Sequence, residues 1–78
     1  MRITVTKDCI KHGRVQSLSE CPVALAFSDY FPNEEIEVDR DTWKIIGSDR
    51  SFKLSRATMR FIDRFDEGRP VRPFSFTI

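Results

Sequence analysis

Two cysteines and the only histidine are the side chains of this chain best suited to metal binding. Cys9 and His12 form one close pair, and Cys21 follows with eight residues between it and His12. Structural zinc sites use four nitrogen or sulfur ligands, commonly arranged as two close pairs. A fourth ligand would have to be Glu20 or Asp29, and nothing in the spacing selects either. We therefore expect no metal site, and we interpret Cys9 as a small residue at a helix–sheet contact.

The thiol of Cys21 has a second possible chemistry, because Pro22 suits the first turn of a helix. Unpaired N–H groups and the helix dipole at such a position lower the pKa of a thiol and favour nucleophilic attack. A base would then be needed, and His12 is the single candidate. The simpler interpretation is an ordinary cysteine beside a proline.

No other catalytic arrangement is visible in the sequence. The three glycines all fall at expected turns, so there is no glycine-rich phosphate loop. No serine stands in a nucleophile elbow. The two cysteines are too few for a disulfide framework and are expected to remain thiols. We predict a protein that is not an enzyme and that carries no cofactor.

An arginine recurs at every fourth position near the C-terminal end, which places the guanidinium groups in one stripe on a helix: Arg56, Arg60 and Arg64. Such a stripe can neutralise phosphates of a nucleic acid, with Trp43 stacking on a base. A protein partner is another possible occupant of the stripe. The simpler interpretation is ion pairing along the helix with Asp63 and Glu67, worth a few tenths of a kcal/mol per pair.

A second charged row consists of three acidic residues at alternate positions: Glu35, Glu37 and Asp39. On a strand these side chains share one face at a spacing of ~7 Å. The row could imitate phosphates or bind a basic partner. It could equally be the solvent side of a strand whose buried side carries Ile36 and Val38, with Lys44 on the next strand as an ionic partner.

The charges are sorted along the chain although the formal net charge is only +1. Residues 1–20 have a net charge of +2, residues 29–49 of −5 and residues 50–78 of +4. Sorted charge predicts either a surface that binds an external partner or two segments that bind each other.

The N-terminal half is predicted to hold one strand and two helices. Ile3 and Val5 alternate with threonines, which indicates a half-buried strand. Thr6 can cap a short helix over residues 7–12 that Gly13 would end. A second helix starts near Ser19 or Cys21 and stops at residues 32–33.

The C-terminal half is predicted to alternate between strands and one further helix. Apolar residues at every second position indicate strands at residues 36–39, 42–46 and 52–54. Ser55 then caps a helix that runs to about residue 66 or 67 and ends at Gly68. Alternation of Phe74, Phe76 and Ile78 with small polar residues indicates a last strand.

These elements predict one α+β domain over residues 1–78, with a mostly antiparallel sheet of four to five strands packed against two or three short helices. The last strand is expected to pair with the first. Seven phenylalanines and 40% hydrophobic residues indicate a globular fold. No apolar run approaches the ~20 residues of a membrane span, and the first residues lack a signal-peptide core, so we expect no membrane association and a cytoplasmic location.

Three stretches together resemble a known group of sequences: ITVT at Ile3–Thr6, CPVALA at Cys21–Ala26, and the segment Phe61–Phe76, which contains FDEGRPVRPFSF. They are similar to a family of small, uncharacterised proteins encoded by bacteriophages and by bacterial genomes with phage-like genes. The resemblance implies a phage or prophage setting and the cytoplasm of an infected cell. It implies no catalytic residues. Several members carry a second cysteine where this chain has Ser17 and Leu18.

The sequence therefore predicts a non-catalytic, phage-type accessory protein that acts by binding another protein, either of the host or of the phage. A second copy of the chain is one such partner. The alternative is a nucleic-acid-binding module that uses the basic C-terminal helix. Seven residues are candidates for the binding surface: Arg56, Arg60, Arg64, Trp43, Glu35, Glu37 and Asp39.

Overall fold

The computed structural model of the chain describes residues 1–78 as five strands and three helices. In chain order these are β1 (Arg2–Val5), α1 (Lys7–His12), α2 (Pro22–Tyr30), β2 (Ile36–Val38), β3 (Thr42–Ile45), β4 (Ser51–Lys53), α3 (Arg56–Asp66) and β5 (Phe74–Thr77). This order and the α+β class are confirmed. None of the three helices has the length and apolar character needed to cross a membrane.

The strands are divided between two antiparallel sheets, which corrects the prediction of a single sheet. β1 pairs with β5, as expected, and β2, β3 and β4 form a three-stranded sheet in that order. The pairing of β1 with β5 extends to the chain ends, where Ile78 N–H donates to the carbonyl oxygen of Met1 at 2.8 Å. β4 and β5 do not pair, so each sheet is smaller than predicted.

The core lies where α2 packs against both sheets. Phe27 of α2 is fully buried, and its ring stacks on Trp43 of β3 with a centroid separation of 4.4 Å. The same ring makes an edge contact with Phe76 of β5 at 5.5 Å. One aromatic side chain therefore joins the two sheets through favourable ring geometries.

The start of α2 depends on a close approach between Gly13 and Pro22. Gly13 ends α1 as predicted, but its φ is −67°, which any residue can adopt. Its role is spatial, because a Cβ at this position would lie 2.5 Å from Pro22 Cγ and 2.8 Å from the carbonyl oxygen of Cys9. The absent side chain lets the two helix ends meet.

α3 has well-defined ends and one buried face. Ser55 caps it, since its hydroxyl accepts a hydrogen bond from Thr58 N–H at 3.2 Å. At the other end Gly68 has a φ of +76°, and the N–H groups of Gly68 and Arg69 donate to carbonyls of the last turn, as in a Schellman motif. Thr58, Phe61 and Ile62 face the core, and the arginines are left on the outer side.

Candidate binding surfaces

The structure does not bring Cys9, His12 and Cys21 together as a ligand set. Cys9 is buried, and its Sγ accepts a hydrogen bond from Thr6 Oγ1 at 3.2 Å. His12 is exposed, with its Nδ1 3.0 Å from the carbonyl oxygen of Asp8. No group of three or more histidine, cysteine or carboxylate side chains has an arrangement that could hold a metal ion.

Cys21 occupies the predicted helix N-terminus, but the alternative of a lowered pKa for its thiol is wrong in sign. Its Sγ accepts a hydrogen bond from Ala24 N–H at 3.4 Å, which favours the thiolate. Burial acts more strongly in the opposite direction, because the thiolate would lose its hydration, and the charge of Asp66 adds to this. The net result is a pKa of Cys21 above its usual value, so the thiol stays protonated at neutral pH.

The arginine stripe is exposed and free of ion pairs. Arg56, Arg60 and Arg64 all lie on the outer side of α3. The ion pairs of the molecule lie elsewhere: Arg14–Glu20 at 3.1 Å, Lys44–Glu37 at 3.7 Å and Arg69–Glu67 at 3.7 Å. The ion pairing along α3 that the sequence suggested is therefore not formed, and the three guanidinium groups remain available.

Trp43 belongs to the core and not to this stripe. It is only 7% exposed. Its ring stacks on Phe27 at 4.4 Å and on Phe52 at 4.8 Å. A ring held in this way does not present a free face to a base, so the expected stacking role of Trp43 is not supported by its position.

The acidic residues in and beside β2 do not act as one row. Glu37 lies directly opposite Lys44 on β3 and pairs with it, as the sequence suggested. Asp39 accepts a hydrogen bond from Arg40 N–H at 2.7 Å and belongs to the turn after β2. Glu35 is exposed, while Ile36 and Val38 on the other face are buried. The pattern fits the solvent side of an amphipathic strand.

A groove between the β2–β3 turn and α3 gathers acidic residues from two distant parts of the chain. Its volume is about 970 Å³, and its five carboxylates are Asp39, Asp41, Asp63, Asp66 and Glu67. One of them is structural, since Asp66 Oδ1 accepts a hydrogen bond from Gln16 N–H at 2.9 Å. Gln16 has a φ of 56°, which few non-glycine residues adopt, so this bond stabilises a constrained turn.

The second concave surface, which we name the apolar cleft, lies between β4 and the end of β5. Its volume is about 530 Å³, and its lining consists of Met1, Trp43, Phe52, Lys53, Leu54, Ser55, Phe76, Thr77 and Ile78. Trp43, Leu54 and Phe76 form a buried floor with 7–8% exposure. Met1, Phe52 and Ile78 form an exposed rim, at 62%, 42% and 42%.

One wall of the apolar cleft is an unpaired strand edge. β4 is the outermost strand of its sheet. Leu54 N–H donates to the carbonyl oxygen of Asp41 at 2.8 Å, and Phe52 lies opposite Trp43. Alternation along an antiparallel ladder then directs the backbone groups of Phe52 towards β3 and those of Ser51 and Lys53 towards the free edge.

No protein-family model matches the chain, and no curated protein or solved structure matches it either. Sequence reasoning missed both concave surfaces, because each is built from segments far apart in the chain. The sequence carried only a weak signal for the apolar cleft. This signal consisted of Phe52 on a short strand, Met1 directly before β1 and Ile78 directly after β5.

Proposed function

We propose that this chain is a non-catalytic binding protein whose apolar cleft holds a segment of another protein. The observation that carries the proposal is the rim of the cleft, where three large apolar side chains stay exposed around a buried apolar floor. Isolated exposed apolar residues are common, but a contiguous group at a concavity is typical of an interaction site.

The energetics of the cleft support this role. Covering one large apolar side chain contributes about 1.5–3 kcal/mol when it was fully exposed before. The rim residues are partly exposed, so each contributes a fraction of that value. Aromatic residues at the centre of an interface commonly dominate the affinity, and here Phe52 is stacked on Trp43 and held in a defined position.

The proposed setting is that of a phage or prophage accessory protein in the cytoplasm of the host cell, acting on a host or phage protein. This part of the proposal comes from the resemblance of the segments around Cys21–Ala26 and Phe61–Phe76. The sorted charges support an external partner, because all three ion pairs join residues close in sequence and leave the acidic and basic segments unpaired with each other.

Photo-crosslinking in expressing cells tests the role of the cleft. We would compare wild type with Phe52→Ser and with Ile46→Ser, a control of similar exposure on the same hairpin but outside the cleft. Circular dichroism would verify that the variants fold. We expect wild type and Ile46→Ser to form a crosslinked species with a cellular protein. We expect Phe52→Ser to lose this species. Equal crosslinking by all three proteins, or crosslinking by none, would contradict the proposal.

Nucleic-acid binding by α3 is the second candidate, favoured by its three exposed and unpaired arginines. Three phosphate contacts predict a roughly 40-fold loss of affinity between about 50 and 200 mM salt. A gel-shift titration would compare wild type with the double variant Arg60→Glu/Arg64→Glu and with Lys7→Glu/Lys11→Glu on α1. Salt-sensitive binding that only the α3 variant loses would favour this candidate; unchanged binding by that variant would exclude the stripe.

A further inference from the structure

We infer that the apolar cleft takes one extended segment of a partner protein, which pairs with β4 as a fourth strand of its sheet and carries apolar residues between acidic ends. This inference rests on the proposed function, because it specifies how the same cleft is occupied. The binding mode is strand addition, the partner segment has acidic ends, and the backbone groups of Ser51 and Lys53 form the hydrogen bonds to it.

β4 has a free edge on the side away from β3. The N–H and C=O groups of Ser51 and Lys53 point away from β3, and no intramolecular bond to another element satisfies them. Unpaired groups of this kind are a template for another strand. Addition of an extended peptide to a sheet edge gains affinity from main-chain hydrogen bonds and specificity from side-chain pockets.

The apolar cleft lies beside that edge. Alternate side chains of an added strand point to the same face, about 7 Å apart. On the inner face they would meet Leu54 and Phe76 on the floor and Ile78 on the rim. Apolar residues at alternate positions of the partner segment would therefore be buried, while the intervening ones would face solvent.

Basic residues in and around β4 select the charge at the ends of the partner segment. Lys53 is the one residue with a charged side chain among those that line the cleft, and Arg50 and Arg56 lie on either side of β4 in the chain. None of these three forms an ion pair, and the nearest acidic residue in sequence, Asp49, lies in the turn before the strand. Acidic residues on the partner would complement this basic border.

The same charges disfavour a second copy of this chain as the occupant. Antiparallel pairing of β4 with the β4 of another copy would bring two basic borders together. The acidic strand β2 is not free to serve instead, because Val38 N–H already donates to the carbonyl oxygen of Leu18 at 2.7 Å on its outer edge. An acidic segment of a different protein fits better.

Hydrogen exchange measured by NMR on the full chain tests this binding mode. The probe is a synthetic peptide in which three valines alternate with two threonines between paired glutamates; the matched control peptide has lysines in place of the glutamates. We expect the glutamate peptide to slow exchange of the Ser51 and Lys53 amides at least about tenfold, with little change at Phe52, which is already paired with Trp43.

The lysine peptide should bind more weakly by at least about tenfold, which corresponds to about 1.4 kcal/mol. Absence of protection at Ser51 and Lys53, or equal affinity of the two peptides, would overturn the inference.

Two variants at position 53 separate the contribution of the backbone N–H to peptide binding from the contribution of the charge. Lys53→Pro removes an outward N–H, a change that edge strands tolerate, whereas Lys53→Gln removes only the charge. We expect Lys53→Pro to lose peptide binding by at least about tenfold relative to Lys53→Gln, with a native circular dichroism spectrum in both. Equal binding by the two variants would contradict strand addition.

The two proposals fail in different ways. If Phe52→Ser retains the crosslinked species in cells, the cleft is not the binding site and the proposed function is wrong. If Phe52→Ser loses that species but the glutamate peptide does not protect Ser51 and Lys53, the cleft is a binding site and only the inference of strand addition is wrong.

Discussion

Cys21 shows two physical effects acting on one side chain in opposite directions. Its position before Pro22 supplies N–H groups that favour the thiolate, while burial against the core favours the neutral thiol. The second effect dominates, so Cys21 serves as a helix cap and a packing residue. Sequence reasoning can place a residue at a helix end, but how deeply that end is buried depends on the tertiary contacts.

The raised pKa of Cys21 predicts how stability changes in alkaline solution. Because the unfolded thiol ionises first, this stabilisation is fully present below the ordinary thiol pKa of about 9.0 and is lost as the pH rises through the higher folded value. For this one thiol, the free energy of unfolding falls by at most about 1.4 kcal/mol per pH unit. Urea unfolding at several pH values should show a steeper alkaline decline in wild type than in Cys21→Ser, which keeps a capping group. Parallel declines would show that burial of this thiol does not contribute.

Gly13 offers a test of close packing between two helix ends. Gly13→Ala places a methyl group against Pro22, and overpacking of this kind costs about 1–3 kcal/mol. Pro22→Ala removes the ring atoms involved, so the double variant should recover part of the loss. As a control, Gly47→Ala has open space around it and should show no coupling to Pro22→Ala, although its φ of +92° carries its own strain. Strictly additive unfolding free energies for the Gly13 and Pro22 variants would contradict the contact.

At the scale of elements, the boundaries of helices and strands were predictable and their assembly was not. Caps and stops depend on a few neighbouring residues, which is why Thr6, Ser55 and Gly68 act as their types predict. The division into two sheets depends on whether β4 and β5 meet, and alternating apolar residues do not contain that information. The apolar cleft was missed for this reason, since it exists only because those strands stay apart.

Two phenylalanines beside the cleft should differ in what they contribute to stability. Phe76 on β5 is 8% exposed and contacts Phe27, so Phe76→Ala should lower the free energy of unfolding by about 3–5 kcal/mol. A domain of this size has only about 4–12 kcal/mol in total, so this variant should be marginal. Phe52→Ala, at the exposed rim, should cost less than half as much. Thermal and urea unfolding of both variants would compare them; equal losses would show that the rim is part of the core.

At the scale of the whole molecule, the sorted charges remain unpaired across the fold. The acidic segment contributes Asp39 and Asp41 to a groove that α3 completes with more acidic residues, and the arginine stripe lies on the outer side of the same helix. The sequence indicated the two charged segments correctly, but it could not show whether they meet. Because they do not neutralise each other, the molecule presents an acidic groove, a basic helix and a basic strand edge to its surroundings.

The basic strand edge predicts that the protein is monomeric and that one lysine keeps it so. Lysine on an edge strand prevents pairing with another copy, because a second edge would bring like charges together and bury an ammonium group. Lys53→Val removes this barrier on an edge that already exposes Phe52, so its average mass should rise with concentration in sedimentation velocity experiments. Lys44→Val is the matched control for added apolar surface, since it lies on β3, whose edges are both paired, although it also removes the ion pair with Glu37. Wild type and the control should stay monomeric over about a hundredfold range of concentration. Dimerisation of wild type would contradict this prediction, and a monomeric Lys53→Val would show that the charge is not what keeps that edge open.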